Sequence, residues 1–322
     1  MLADDEHGGL HRALRRRLIK MQWAEPVDLR GKTVLVTGAT QGSLGHETAV
    51  TLARWGADVC VTTRTQVERA VDAVRARVEG GSVAGHSLNL ADRQSVDAFV
   101  RWFDSSRGDA LDVLVNNAGV HLDLLSQWKE PRRSADGFEI QWRINYLGTA
   151  HLTHRLLPAL IRAGRDTGDA RIVNVVSKLY SRGANQDLFE RTRRYNSWDA
   201  YGNSKLALVH MTLALDERHA EKDGVRAYCL HPGSVFTHVA ARGLENTGFV
   251  ERVRNALSPI EAFFLKSPEE GAQTQIHCAT APRLDGGLYY EDCQPRPSSH
   301  EAADVSIRKR LFDTTLDWVL AS

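Results

Sequence analysis

From Lys32 onward, apolar runs of strand length alternate with longer segments whose apolar positions recur every three or four residues. That alternation marks βαβ units feeding a parallel sheet. Strands are expected at Thr33–Thr37, Asp58–Thr62, Val83–Leu88, Asp112–Val115, Arg171–Val176 and Val225–Leu230, and a fainter one at Gly287–Glu291. Helices are expected between them at His46–Trp55, Gln66–Glu79, Gln94–Phe103, Gly137–Arg162 and Trp198–Ala220. Right-handed crossovers then require one doubly wound α/β sheet of about seven parallel strands with helices on both faces. Its ligand crevice opens at the carboxyl ends of the strands, so the loops leaving them should carry the chemistry.

Residues 31–295 therefore read as a single Rossmann-type dinucleotide-binding and catalytic domain. Residues 1–30 read differently: Leu10, Leu14, Leu18 and Met21 mark one helix face, while Arg12, Arg15, Arg16 and Arg17 crowd the others. Such a basic amphipathic extension suits an anionic lipid surface, or packing across its own domain or a partner subunit. Ser181–Asn196, the segment 236–266 and the tail after Pro295 show no clear period, although the tail at 296–322 is expected to hold a helix.

Composition alters this picture little. Of the 322 residues 42% are hydrophobic and 25% charged, an ordinary globular balance. A net charge of +1 provides no global field toward nucleic acid or anionic lipid, so any anion must be bound locally. Cys60, Cys229, Cys278 and Cys293 form no Cys-x-x-Cys pair, and the first two fall in strand-like runs, which fits a reducing, cytoplasmic setting. No apolar run of 18 residues and no secretion leader is present, so integral membrane association is not expected.

The first strand runs into Thr37-Gly38-Ala39-Thr40-Gln41-Gly42-Ser43-Leu44-Gly45, and a helix begins near His46. Gly38, Gly42 and Gly45 let backbone approach a pyrophosphate, and the following helix N-terminus offers free amides and a positive dipole end. The amides of Ser43 and Leu44 belong to that cradle. A dinucleotide reading calls for a ribose discriminator about 20 residues on, at the end of the second strand. The chain there reads Thr62-Thr63-Arg64-Thr65, with no acid. A guanidinium grips a 2′-phosphate where a carboxylate would repel it, so Arg64 favours NADP(H), with NAD(H) as an acceptable second cofactor. The alternative is a solvated surface arginine.

Tyr201-Gly202-Asn203-Ser204-Lys205 opens a helix, and the four-residue spacing puts Tyr201 and Lys205 on one face. Chance alone yields such a pair in roughly one chain in five of this composition. Its company is more specific: Asn116-Asn117-Ala118-Gly119 after the fourth strand, Asn145 within a long helix, Ser177 after the fifth strand, and Pro232-Gly233-Ser234-Val235-Phe236-Thr237 after the sixth. In order and spacing these motifs resemble the short-chain dehydrogenase/reductase superfamily over roughly residues 31–291. The chain is most similar to the retinol-dehydrogenase-like branch, through Gly45-His46-Glu47-Thr48-Ala49, the 24-residue gap from Ser177 to Tyr201, and Ser267-Pro268-Glu269-Glu270-Gly271-Ala272-Gln273-Thr274.

That resemblance implies an NADP-dependent oxidoreductase moving a hydride between nicotinamide and the alcohol or carbonyl carbon of a small hydrophobic molecule. Tyr201 would be the acid/base, Lys205 would hold the nicotinamide ribose, Ser177 would hydrogen-bond the substrate oxygen, and Asn145 would anchor a water relaying protons to Lys205. Asn89, Leu90, Asn117, Ala118 and Gly119 would line the adenosine side. Pro232, Gly233, Val235 and Thr237 would seat the nicotinamide. A free phenol titrates near 10, but a cation about 4 Å away at an effective dielectric near 20 is worth on the order of 4 kcal/mol, or roughly 3 pKa units. Lys205 is therefore expected to poise Tyr201 near neutrality. Ser177 could also simply cap a strand end, and Asn145 could cap or pair elsewhere.

The chain departs from the family pattern in three places. One extra residue separates Gly42 from Gly45, so Ser43 either touches the cofactor or caps the helix. Asn89-Leu90 stands where Asp-Leu is usual, and Val176 replaces the first of two serines. His151 and His154 lack a nearby third ligand and no metal site is expected; no Gly-x-Ser-x-Gly hydrolase motif is present. Phe236, Phe249, Phe263, Phe264 and Leu265 form either a lid over the nicotinamide or core. Two further readings remain: a reductase of β-keto thioester or polyketide intermediates, favoured by a basic patch at the cleft mouth, and a non-catalytic NADP-binding sensor or scaffold. A homodimer through the two long central helices is common among relatives, and the N-terminal extension leaves it open here.

Overall fold

Strand β1 (Thr33–Thr37) is buried at its last four positions, hence on both faces, as a central strand of a parallel sheet must be. The computed structural model to which it belongs describes residues 22–125, 127–190, 194–233 and 266–321. The basic stretch up to Met21, Val235, Thr237 and the apolar segment from Phe236 to Leu265 lie outside the described residues.

After β1 come α1 (Leu44–Arg54), β2 (Asp58–Thr63), α2 (Val67–Arg75), β3 (Val83–Ser87), α3 (Arg93–Arg107) and β4 (Val113–Asn116). Helix α4 then runs through Ile140–Trp142, a wide π turn at Arg143–Gly148, and Thr149–Thr167. It is followed by β5 (Ala170–Val175), two 3₁₀ turns at Lys178–Arg182 and Asn185–Leu188, α5 (Ser197–Asp223) and β6 (Val225–His231). The chain ends with α6 (Pro268–Thr280), β7 (Leu288–Glu291), β8 (Gln294–Arg296), α7 (His300–Ala303) and α8 (Val305–Leu320).

The sheet order is β3-β2-β1-β4-β5-β6-β7-β8. The first seven strands pair in parallel, as the sequence pattern predicts. The eighth is an addition. It returns antiparallel to β7 through Asp292 and Cys293, whose φ values of 51° and 57° make a two-residue hairpin turn of the primed kind. Helices cover both faces of the sheet. One core cluster gathers Phe99, Phe103, Leu156, Leu160, Leu208 and Phe312, and the other Val50, Val59, Val74, Ile276 and Tyr290.

Winding reverses between β1 and β4, and there the cleft opens. Local signals place the elements around it. Ser43 caps α1 by accepting from the His46 amide at 3.2 Å. Asn196 caps α5 through the amides of Trp198 and Asp199, and Gly224 ends that helix in the left-handed region. Ser267 and Glu270 form a reciprocal capping box with Pro268 in the first turn of α6.

The tail after Pro295, which shows no clear period, forms α7 and α8. Helix α8 lies on α4 and α5: Phe312 meets His154 edge to face at 5.3 Å, Arg218 sits 3.9 Å over the Phe312 ring, and Tyr146 hydrogen-bonds Thr315 at 2.7 Å. The chain's own terminus thus covers part of the face through which a homodimer was expected. Among the described residues no helix is long and apolar enough to cross a membrane.

Candidate active site

A cavity of about 360 Å³ follows the carboxyl ends of the strands from β3 to β6. Gly38, Ser43, Leu44, Arg64, Asn89 and Leu90 line one end of it, and Ser177, Tyr201, Lys205, Pro232 and Gly233 the other, with Asn117, Ala118 and Gly119 between. The sequence had singled out each of these. Gly42, Gly45 and Asn145 do not line it.

The turn after β1 is held by its neighbours. Gly38 has φ +72°, and a Cβ there would come within 2.9 Å of Ala118 Cα. At Gly45 a Cβ would lie 2.5 Å from Asn117 Nδ2 and 2.8 Å from the Gly38 carbonyl, so this residue serves the close approach of α1 to the turn. Asn117 closes the arrangement by donating to the carbonyls of Thr37 at 2.8 Å and Gly38 at 3.2 Å. Of the two roles expected for Ser43, the structure shows the cap on α1, and the residue also borders the cavity. Asn89 is engaged locally, since its side-chain oxygen accepts from the Ala91 amide at 3.2 Å and its backbone N–H donates to Ser95 Oγ at 2.9 Å.

At the other end Ser177 accepts from the Leu179 amide at 3.3 Å, which caps a 3₁₀ turn, and it lies beside the Tyr201 phenol in the cavity lining. The cap and the contact with Tyr201 coexist. Lys205 is buried one helical turn on, its ammonium donating to the Val175 carbonyl at 2.9 Å and lying 5.7 Å from the centre of the Tyr201 ring. Asn145 sits in the π turn of α4. Its side chain is committed: Oδ1 accepts from the Val120 amide at 2.8 Å, and Nδ2 donates to the Val120 carbonyl at 2.8 Å and to Ser204 Oγ at 3.1 Å. A Cβ on Gly119 would fall 3.2 Å from Lys205 Nζ and 3.4 Å from Asn145 Oδ1, so the two flank that glycine.

The electrostatics differ from the expectation that Lys205 brings Tyr201 to neutrality. Burial pushes the Tyr201 phenol up to about 12, only partly opposed by the neighbouring Ser177 hydroxyl, and pushes Lys205 down to about 8. Desolvation penalises the charged form of each group, and at this separation it outweighs their attraction. No carboxylate lines the cavity among the described residues: Arg64 and Lys205 are its cations, and His231 is held near 4 and neutral, chiefly by burial. Such a lining fits the polyanionic dinucleotide that the glycine cradle is shaped to approach.

Sequence reasoning missed His121. Its ring stacks on that of Tyr201 at 4.1 Å and 13°, and its edge meets Trp198 at 4.6 Å and 86°. Burial, assisted by the Lys205 cation and opposed by Asp123, holds it near 4 and so neutral. The loop carrying it is tied to the start of α5, where Ser197 Oγ donates to the Asp123 carbonyl at 2.8 Å and the Trp198 indole to the Leu124 carbonyl at 3.2 Å. The available signal was a polar residue two places beyond Gly119, flanked by Val120 and Leu122. His231, next to Pro232, was missed as well.

Comparison with known proteins gives a consistent result. The sequence model described as short chain dehydrogenase matches residues 32–247. Retinol dehydrogenase 12 of Mus musculus is 34% identical over 297 residues, 90% of this chain and 87% of that protein. Retinol dehydrogenase 11 of Homo sapiens is 34% identical over 94% of this chain and 91% of its own length. Among solved structures, an uncharacterized protein from Mycobacterium paratuberculosis superposes with a TM-score of 0.67 at 28% identity, covering 94% of this chain and 98% of its own. The NADP complex of RhlG from Pseudomonas aeruginosa shares the fold, with a TM-score of 0.61 at 23% identity over 82% of this chain and 96% of its own.

Proposed function

Because the chain belongs to the short-chain dehydrogenase family, on its retinol-dehydrogenase-like side, and is an oxidoreductase acting on a CH–OH or C=O group, we propose that it uses NADP(H), takes a hydrophobic alcohol, aldehyde or ketone, and employs Tyr201 as its acid/base. The observation that carries this reading is that Tyr201, Ser177 and Lys205 line one cavity, Lys205 held by the Val175 carbonyl, with no carboxylate among the described lining residues. When bound, the nicotinamide supplies or accepts the hydride.

The protein's part is to move one proton and to hold the reacting oxygen. Tyr201 and Ser177 line the same end of the cavity, where an alcohol or carbonyl oxygen would receive both hydroxyls. In reduction Tyr201 gives its proton to that oxygen. The phenolate left behind is stabilised by the Lys205 ammonium, which the Val175 carbonyl holds in place. Arg64 grips the 2′-phosphate at the far end of the cavity. Retinol, named in the relatives, and other long apolar alcohols, with their aldehydes, head a screen that follows NADPH consumption. No turnover with any apolar aldehyde or ketone would defeat the substrate class.

The thioester reading called for a basic patch at the cleft mouth. Among the described residues near His231 the two lysines are paired with carboxylates, Lys178 with Glu291 at 2.5 Å and Lys266 with Asp292 at 2.6 Å. A sensor or scaffold has no need of the Tyr201, Ser177 and Lys205 arrangement. Four free, buried cysteines agree with a reducing, cytoplasmic setting.

The positions of these groups on the pH scale give one expected result. A phenol held near 12 keeps its proton throughout the neutral range, and Lys205 keeps its charge below about 8. Carbonyl reduction needs the protonated phenol and the ammonium together, so its turnover should hold below about pH 8 and decline as Lys205 titrates. Alcohol oxidation needs the phenolate and should rise with pH over the same range. Turnover profiles in both directions would show this, and a reduction rate climbing above pH 9 would contradict it.

His121 supplies another. Stacked ring pairs contribute about 0.5–1.5 kcal/mol, so His121→Ala should free the Tyr201 ring and lower turnover by up to about tenfold, with NADPH affinity unchanged. His121→Phe keeps the stack and should retain most of the activity. Equal losses in both variants would mean that the imidazole nitrogens, not the stack, matter.

A further inference from the structure

Arg143 is the largest side chain wholly withdrawn from solvent among the described residues. A guanidinium is held in such a place only by strong acceptors, because its desolvation costs several kcal/mol. Arg143 has two: Nε donates to Asp136 Oδ2 at 2.7 Å, and Nη1 donates to the Leu90 carbonyl at 2.5 Å. Leu90 borders the cofactor cavity. On the other side of its carbonyl stands Gly148, so close that a Cβ there would overlap the oxygen. The Leu90 peptide is therefore clamped from behind by the π turn of α4.

The clamp reaches the end of the chain. Arg143 lies 5.1 Å from the ring centre of Trp318 in α8, and Arg93 lies over the same ring at 4.0 Å. Arg93 also donates to the carbonyls of Trp318 at 3.0 Å and Val319 at 3.2 Å, fastening the last turn of α8. Phe138 closes the indole edge at 5.8 Å. Two cations thus bracket one indole, and only the inner one touches the cavity wall.

We propose that the C-terminal helix positions the adenine-side wall of the cofactor cavity, with Trp318 and Arg143 as positioning residues that act through the Leu90 peptide. Trp318 keeps water from the buried guanidinium, and the guanidinium fixes the direction of the Leu90 carbonyl. That direction sets where the Leu90 side chain and the adjoining Asn89 turn face the ligand. This inference rests on the cofactor reading above, and it concerns 228 residues of sequence separation, bridged by a single arginine.

The test is binding, measured by titration calorimetry on the full chain with three probes: NADPH, adenosine 2′,5′-bisphosphate and reduced nicotinamide mononucleotide. In Trp318→Leu and Arg143→Met the Kd for NADPH and for adenosine 2′,5′-bisphosphate should rise about tenfold. The Kd for the mononucleotide should not move. Arg93→Gln removes the outer cation alone and should shift the adenosine probe in the same direction by less; with Trp318→Leu it carries the test if Arg143→Met does not fold. Unchanged affinity for adenosine 2′,5′-bisphosphate in folded Trp318→Leu would overturn the proposal, as would equal weakening of all three probes, which would indicate general loosening. Failure of the unsubstituted chain to bind either adenosine-containing probe would remove the cofactor reading and this inference with it.

Discussion

Tyr201→Phe should bind NADPH as the unsubstituted chain does and lose about three orders of magnitude in turnover, the middle of the range for a positioned general acid. The substitution deletes one oxygen and keeps the ring. The stack on His121 at 4.1 Å and the edge contact of that imidazole with Trp198 can persist, so the aromatic cluster has no reason to collapse. Lys205 also keeps its bond to the Val175 carbonyl. What disappears is the proton donor of the cavity's reacting end. Rapid-mixing measurement of hydride transfer beside equilibrium binding separates the two effects. Turnover by Tyr201→Phe within a few fold of the unsubstituted protein would take the acid/base role away from this residue. Lost binding with lost turnover would mean that the phenol shapes the cavity rather than the chemistry.

The same site shows why position was more legible in the sequence than energetics. Tyr201 and Lys205 are four residues apart on one helix, and helical geometry alone puts them on a common face. Ser177 and Asn117 follow buried strands, so their place at the carboxyl edge of the sheet follows from topology. The acidity of the phenol was misjudged, because a charge four residues away is visible in a sequence and the depth of burial is not. Desolvation then dominates both groups. His121 escaped notice for a related reason: its partners Tyr201 and Trp198 lie some 80 residues on, and only the folded loop brings the rings together.

At the level of the fold, strands buried on both faces announced themselves. β1 and β6 are near-continuous apolar runs and differ from expectation by a residue or less. The π turn in α4 has no local sequence mark; it is set by packing against Leu90 and by the bonds of Asn145 to Val120. Helix α2 ends at Arg75, short of the Glu79 that periodicity suggested. A helix was expected in the tail at 296–322, but its bounds and buried face were not legible, because charged residues occupy positions of α8 that face the protein. Arg308 is buried beside Glu217, and Trp318 is bracketed by arginines, so the simple apolar stripe is broken by residues buried in pairs.

Arg64 should prove to be the discriminator between the two nicotinamide cofactors: Arg64→Ala is expected to weaken NADPH by about thirtyfold and leave NADH nearly unchanged. The residue lines the cavity just past the end of β2, and among the described residues it has no ion-pair partner, so its guanidinium is available to a ligand. A charge-assisted, forked contact with a phosphate is worth about 1.5–3 kcal/mol, and about 2 kcal/mol within that range gives the thirtyfold figure. NADH carries a hydroxyl at that position and gains little from a cation. Reversing the charge should go further. Arg64→Glu places an acceptor where the free 2′-hydroxyl would sit and repels the 2′-phosphate, so NADPH should fall below NADH in affinity. Calorimetric titration of both variants with both cofactors reads each effect without a substrate. Equal weakening of NADPH and NADH in Arg64→Ala would reduce Arg64 to a general phosphate attraction, and NADPH affinity unchanged in Arg64→Glu would move the 2′-phosphate elsewhere in the cavity.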